Sequence, residues 1–137
     1  MNTPLPAPFT DALLHQRLDG SDDNALDALD FGVIAFDAEG IVRRYNSFES
    51  KAAGLSPQRV LGSHLFEVVA PCMNNFLVAQ RFEDASTEAV TLDETINYVL
   101  TLRMRPVKVH LRLLAAPDSG TRYVLVCRPA SAQQPAP

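Results

Sequence analysis

Apolar and polar positions divide the chain into strand-like ends around a helical middle. Phe31-Gly32-Val33-Ile34-Ala35-Phe36 is a short apolar run rich in β formers; Asp37-Ala38-Glu39-Gly40 interrupts it and Ile41-Val42-Arg43-Arg44-Tyr45 resumes it, which predicts a hairpin. From Asn46 to Ala53 the residues favour helix, with Asn46 as N-cap and Gly54 as stop. Ser56-Pro57 opens another short helix that Gly62 ends. His64 to Val69 reads as a connecting segment, closed by Ala70-Pro71-Cys72. Asn74 or Asn75 then caps a longer helix whose apolar face holds Phe76, Leu77, Ala79 and Phe82. The last third alternates as strands do: Thr95 to Leu102, Val107 to Leu113, and Tyr123 to Cys127 after a turn at Asp118-Ser119-Gly120.

Upstream, Pro4, Pro6 and Pro8 keep the first residues extended. Thr10 is placed to cap a helix carrying Ala12, Leu13, Leu14 and Leu18; Gly20 to Asp23 breaks it, and Ala25 to Leu29 forms a second short turn. Residues 1–30 are thus expected to be a helical cap with its apolar face on a core of residues 31–128. The tail, residues 129–137, is rich in Ala, Gln and Pro without periodicity and is expected to be disordered. Two strands, several short helices and three strands make an α+β domain with one antiparallel sheet, and space between sheet and helices is a usual ligand site.

The 137 residues suffice for one domain, and 47% hydrophobic content for a core. A net charge of −4 argues against binding a nucleic-acid backbone, and no apolar run has the length of a membrane helix. The start carries neither a basic nor an apolar signal region, and Cys72 and Cys127 make no disulfide framework. The expectation is a cytoplasmic protein with reduced thiols.

Tyr45 and Glu49, four apart, share one face if the segment that holds them is helical. A phenol and a carboxyl aimed into one apolar space can donate two hydrogen bonds to one anionic oxygen, provided that burial without a cation keeps Glu49 protonated. The plainer reading leaves Glu49 solvated and Tyr45 at the end of a strand. Cys72 precedes the helix expected at Asn74 or Asn75, whose amides would favour a thiolate able to form a thioester or act as a nucleophile; the plainer reading, and the usual one for a free cysteine, is a small buried apolar residue. Cys127, within an apolar strand, is structural. His15, His64 and His110 are too scattered for a metal motif, although His64 is the best placed for a lone haem ligand. There is no phosphate-binding glycine loop and no catalytic pair around Cys72, so an enzyme is not expected. Arg103-Met104-Arg105-Pro106 reads as a basic loop.

Leu29 to Ile34 followed by Asp37 to Ile41 resembles the opening strands of a PAS domain. Tyr45-Asn46-x-x-Glu49, Gly54, Val60-x-Gly62 and Phe66-x-x-Val69-Ala70-Pro71-Cys72 resemble the photoactive yellow protein family more specifically. The similarity runs from about Leu26 to Val126 and includes Tyr98, Met104 and Val107 to His110. It implies a PAS fold, with a single antiparallel five-stranded sheet, short helical connections and an N-terminal helical cap. It further implies a blue-light receptor carrying para-hydroxycinnamic acid (p-coumaric acid) as a thioester on Cys72. Tyr45 and Glu49 would hydrogen-bond the phenolate, and the Cys72 amide would meet the thioester carbonyl. Phe66, Pro71, Tyr98 and Met104 would complete the site, with Met104 linked to re-isomerisation. After isomerisation Glu49 would pass its proton to the phenolate; the resulting buried charge would release the cap toward a downstream signalling protein.

The chain also departs from the family pattern. Ala53 stands where a threonine supports the hydrogen-bond network, and Leu55 where an arginine lies over the pocket. A PAS sensory or protein-interaction module with another small ligand and no photochemistry is the alternative. PAS domains often pair, so a homodimer is compatible with either reading.

Overall fold

A computed structural model describes residues 7–101 and 106–128. Met104 and the rest of 102–105 lie outside the described residues, as do 1–6 and the whole tail 129–137. In chain order the elements are α1 (Leu14–Asp19), α2 (Asp23–Asp27), β1 (Gly32–Phe36), β2 (Val42–Tyr45), α3 (Ser47–Ala53), α4 (Pro57–Val60), a π turn (Leu65–Val69), a 3-10 turn (Pro71–Met73), α5 (Ala79–Glu88), β3 (Leu92–Leu100), β4 (Val107–Ala115) and β5 (Arg122–Cys127).

The five strands form one sheet in the order β2-β1-β5-β4-β3, every neighbouring pair antiparallel. Alternation sorts its side chains into two cores. Ile34, Phe36, Val124, Val126, Leu111 and Leu113 face the helical side with Phe66, Met73 and Phe82. Val33, Ala35, Tyr123, Leu125 and Leu114 face the other side, where Leu14, Leu18, Leu26 and Leu29 of the N-terminal segment cover them. Leu14, Leu18 and Leu26 are fully buried, each contributing about 1.5–3 kcal/mol of transfer free energy. Polar clasps add direction to that contact. Arg112 donates to the carbonyls of Phe9 (2.7 Å) and Asp11 (2.8 Å) while it holds Asp93, and Arg44 donates to those of Leu18 (2.9 Å) and Ser21 (2.6 Å).

Asp37 builds the β1–β2 turn. Its Oδ1 accepts from the amides of Glu39 and Ile41, its Oδ2 accepts from Arg43, and Gly40 takes the φ of 84° that the turn needs.

Several expectations shift. Thr10 does not cap α1; Leu13 occupies that place, and its amide donates to Asp11 Oδ1. His64 to Val69 is more than a connection: His64 Nδ1 accepts from the amides of Phe66 and Glu67 and starts the π turn. The long helix begins at Ala79 rather than after Asn74 or Asn75. Asn75 Oδ1 accepts from the amides of Leu77 and Val78, a local turn that competes with helix. Phe76 is consequently 77% exposed instead of lying on an apolar face. β3 starts at Leu92, three residues before the expected Thr95.

Candidate functional site

Tyr45 reaches the helical-side core through a break in strand register. β1 and β2 pair Ala35 with Arg44 but Phe36 with Val42, so the register skips Arg43. This bulge puts Val42 and Tyr45 together in that core, while Arg44 turns to the cap. The next residue, Asn46, is 1% exposed and caps α3, its Oδ1 accepting from the Glu49 amide at 3.1 Å. The same oxygen accepts from the Val33 amide at 2.9 Å. Its Nδ2 donates to the carbonyls of Leu26 (2.9 Å) and Phe31 (3.0 Å). One side chain thus joins the start of α3 to β1 and to the cap. Along α3, Glu49 and Ala53 are buried, whereas Tyr45 is the last residue of β2.

The Tyr45 hydroxyl is buried and has no hydrogen-bond partner among the described residues. Burial, and then the nearby Glu49 charge, hold its pKa well above the ordinary 10, so it is a neutral donor with its proton available. Glu49 is not its partner. The Glu49 side chain, 2% exposed, lies against Gly32 and receives Arg128 Nη1 on Oε1 (2.7 Å) and Nη2 on Oε2 (3.0 Å). Gly32 is necessary there, because a Cβ would fall inside contact distance of Glu49 Oε1. Burial pushes the Glu49 pKa above 4.5, and the two Arg128 bonds and its charge oppose that rise.

The expectation that Glu49 is buried without a cation is therefore corrected. The sequence offered little to find Arg128: it directly follows an apolar strand, and 79 positions separate it from Glu49. Leu55 does leave its own place apolar, but the guanidinium of Arg128, the residue after β5, enters the site.

Cys72 lies in the middle of the 3-10 turn Pro71–Met73. It is half-buried and packs against the same core as Tyr45, Phe66, Leu55 and Tyr98. The helix expected to follow it begins only at Ala79, so no α-helix N-terminus stands at its thiol. Its carbonyl accepts from the Tyr98 hydroxyl (2.5 Å) and from Asn75 Nδ2 (3.2 Å), and Asn75 Nδ2 also donates to Tyr98 (2.7 Å). This three-way lock between the turn and β3 was not anticipated for Asn75. Phe66 is buried and stands edge-on to Phe36 at 5.5 Å, whereas Pro71 is exposed. Both cysteines are free; burial and then the Asp30 charge push the Cys127 thiol up, in keeping with a structural role. Among the described residues no cluster of three metal-binding side chains occurs, and no helix is long and apolar enough to cross a membrane.

The PAS fold family matches residues 26–134. The photoactive yellow protein of Halochromatium salexigens is 34% identical over 113 residues, covering 81% of this chain and 90% of that protein. The chain belongs to the photoactive yellow protein family. The Rhodothalassium salexigens member is 31% identical over 106 residues, covering 77% of this chain and 84% of its own length. The photoactive yellow protein domain of the sensor histidine kinase Ppr from Rhodospirillum centenum superposes with a TM-score of 0.75 at 35% identity, covering 82% of this chain and all but 2% of that domain. A PAS domain from Colwellia psychrerythraea, at 10% identity and TM-score 0.63, shares the fold. As a photoactive yellow protein relative with a PAS fold, this chain falls among photoreceptor and sensory domains.

Proposed function

We propose that this protein is a blue-light sensor that carries p-coumaric acid as a thioester on Cys72. The observation that supports this most is the Tyr45 hydroxyl, buried without a partner among the described residues, in the same core that Cys72 packs against. A buried donor left without an acceptor costs about 1–3 kcal/mol; a phenolic oxygen at the far end of a Cys72-linked acid would relieve that cost. The residues present therefore fit the group. Tyr45 would donate to its oxygen, Phe66, Ala53 and Leu55 would exclude water, and Tyr98 and Asn75 would keep the Cys72 turn fixed. The Cys72 amide lies in the first turn of the 3-10 segment, where donors stand outside the turn's own ladder, and is the matching donor for the thioester carbonyl.

When bound, the acid supplies a conjugated double bond that absorbs blue light and isomerises. Glu49 is the second polar side chain beside Tyr45. Paired with Arg128 it is an acceptor; with that pair open, burial favours a proton on Oε, which Glu49 could then give up. A carboxylate left without Arg128 would be costly in this core. Asn46 provides the route outward, since it bonds both the α3 start and the Leu26 carbonyl of the cap. Release of the cap toward a signalling partner is the proposed output.

The test is to mix the purified chain with an activated p-coumaroyl thioester and measure intact mass, with Cys72→Ala in parallel. A mass gain that Cys72→Ala abolishes supports the attachment. An unmodified protein would favour the other reading, a PAS module for a different small ligand.

A further inference from the structure

The Glu49–Arg128 pair deepens the proposed reading of the site, on which its functional meaning rests. Each guanidinium nitrogen of Arg128 that faces Glu49 meets its own carboxylate oxygen, at 2.7 and 3.0 Å, and both side chains are more than nine-tenths buried. A bidentate fork of this kind matches an ionised carboxylate, because the planar donors need two acceptor oxygens. The carboxyl also lies over the space that Gly32 leaves on β1, while the Tyr45 hydroxyl has no partner among the described residues.

We infer that Arg128 is a positioning residue of the chromophore site: it holds Glu49 as a carboxylate turned toward β1 and the end of β5. Tyr45 alone then offers an O–H to a ligand oxygen until the pair opens. Arg128 thereby decides whether the site presents one donor or two to a phenolic oxygen, which makes it a specificity determinant acting through Glu49.

The charged surroundings leave this role to Arg128. From β2, Tyr45 contributes a neutral phenol. From α2, Asp27 accepts the Ser47 amide and Asp23 is engaged by Arg44. Asp30, ahead of β1, acts on Cys127, and Lys51 of α3 is exposed. Among the described residues, Arg128 is the charged group that acts on the Glu49 carboxyl.

The experiment is a pH titration of the Glu49 side-chain carbon by carbon-13 NMR, on the full chain before any acid is added, with Glu49→Gln used to assign the signal. Wild type is expected to show an ionised Glu49 at pH 7. In Arg128→Gln the midpoint should rise by about 1–3 pH units, and Arg128→Lys should recover part of the shift. A wild-type Glu49 protonated at pH 7 would overturn the inference without requiring any variant to fold. An unchanged midpoint in a folded Arg128→Gln would overturn it too. The same samples, treated with the activated thioester, separate the two ideas: normal titration with no mass gain refutes the chromophore reading and leaves the Glu49–Arg128 coupling standing.

Discussion

Replacing Asn46 by alanine removes a buried side chain that makes four bonds: it accepts from the amides of Val33 and Glu49 and donates to the carbonyls of Leu26 and Phe31. Loss of the α3 cap costs about 1 kcal/mol. The Val33 amide and the two carbonyls sit where water has poor access, and a buried group left unsatisfied costs about 1–3 kcal/mol. Because Leu26 and Phe31 can relax with the cap, the total expected is about 3–5 kcal/mol. This is a large share of an ordinary domain's 5–15 kcal/mol, and the variant should still fold at low temperature. Urea unfolding followed by circular dichroism measures the loss, and amide exchange shows whether α2 and the start of α3 open together. Asn46→Asp is the control: it keeps both acceptor bonds but removes both donors, so it should not rescue the cap. A loss below about 1 kcal/mol for Asn46→Ala, with unchanged exchange in α2, would refute the argument that Asn46 joins site and cap.

Gly32→Ala should cost about 2–4 kcal/mol by displacing the Glu49 carboxyl from Arg128; in a Glu49→Ala background the same change should be much milder, a coupling readable by a double-mutant cycle. Asp37 sits in opposing influences: slight burial raises its pKa, but the Ile41 amide, Arg43 and the Glu39 amide more than reverse it, so it lies below 3.8. Its contribution is present above the unfolded value and lost as pH falls through the lower folded value, so Asp37→Asn should flatten the acid limb of a pH-stability curve below about pH 4. Arg112→Ala should loosen the cap by roughly 2–3 kcal/mol, through its lost bonds to Phe9, Asp11 and Asp93, seen as faster proteolysis within residues 7–13.

What could be read from sequence followed from how local each signal is. The alternation in β4, the apolar run of β5 and the Asn46 and Gly54 ends of α3 are written in neighbouring residues, and the fold places them as expected. Tyr45 and Glu49 are both buried, but Tyr45 ends β2 and Glu49 lies on α3, so they do not share a helix face. The register skip at Arg43 was hidden because a bulge depends on the partner strand. Phe76 misled because apolar spacing outweighed the turn-forming habit of Asn75, which instead locks Leu77 and Val78. The first residues of β3, Leu92 to Glu94, were not read as strand because Asp93 and Glu94, on opposite faces of this edge strand, are both exposed. Arg128 was invisible for a stronger reason: only the pairing of β1 with β5 brings the end of β5 beside Gly32 and α3. That long-range contact changed the chemistry assigned to Glu49.

The central claim, that Cys72 and Tyr45 are two ends of one light-responsive site, is tested most directly by absorbance of the thioester-loaded protein before, during and after blue illumination. The expected result is a visible band, red-shifted from the free acid, that bleaches in light and recovers in the dark, and that moves in Tyr45→Phe. A loaded protein whose band is unchanged by light, or is identical in Tyr45→Phe, would contradict it.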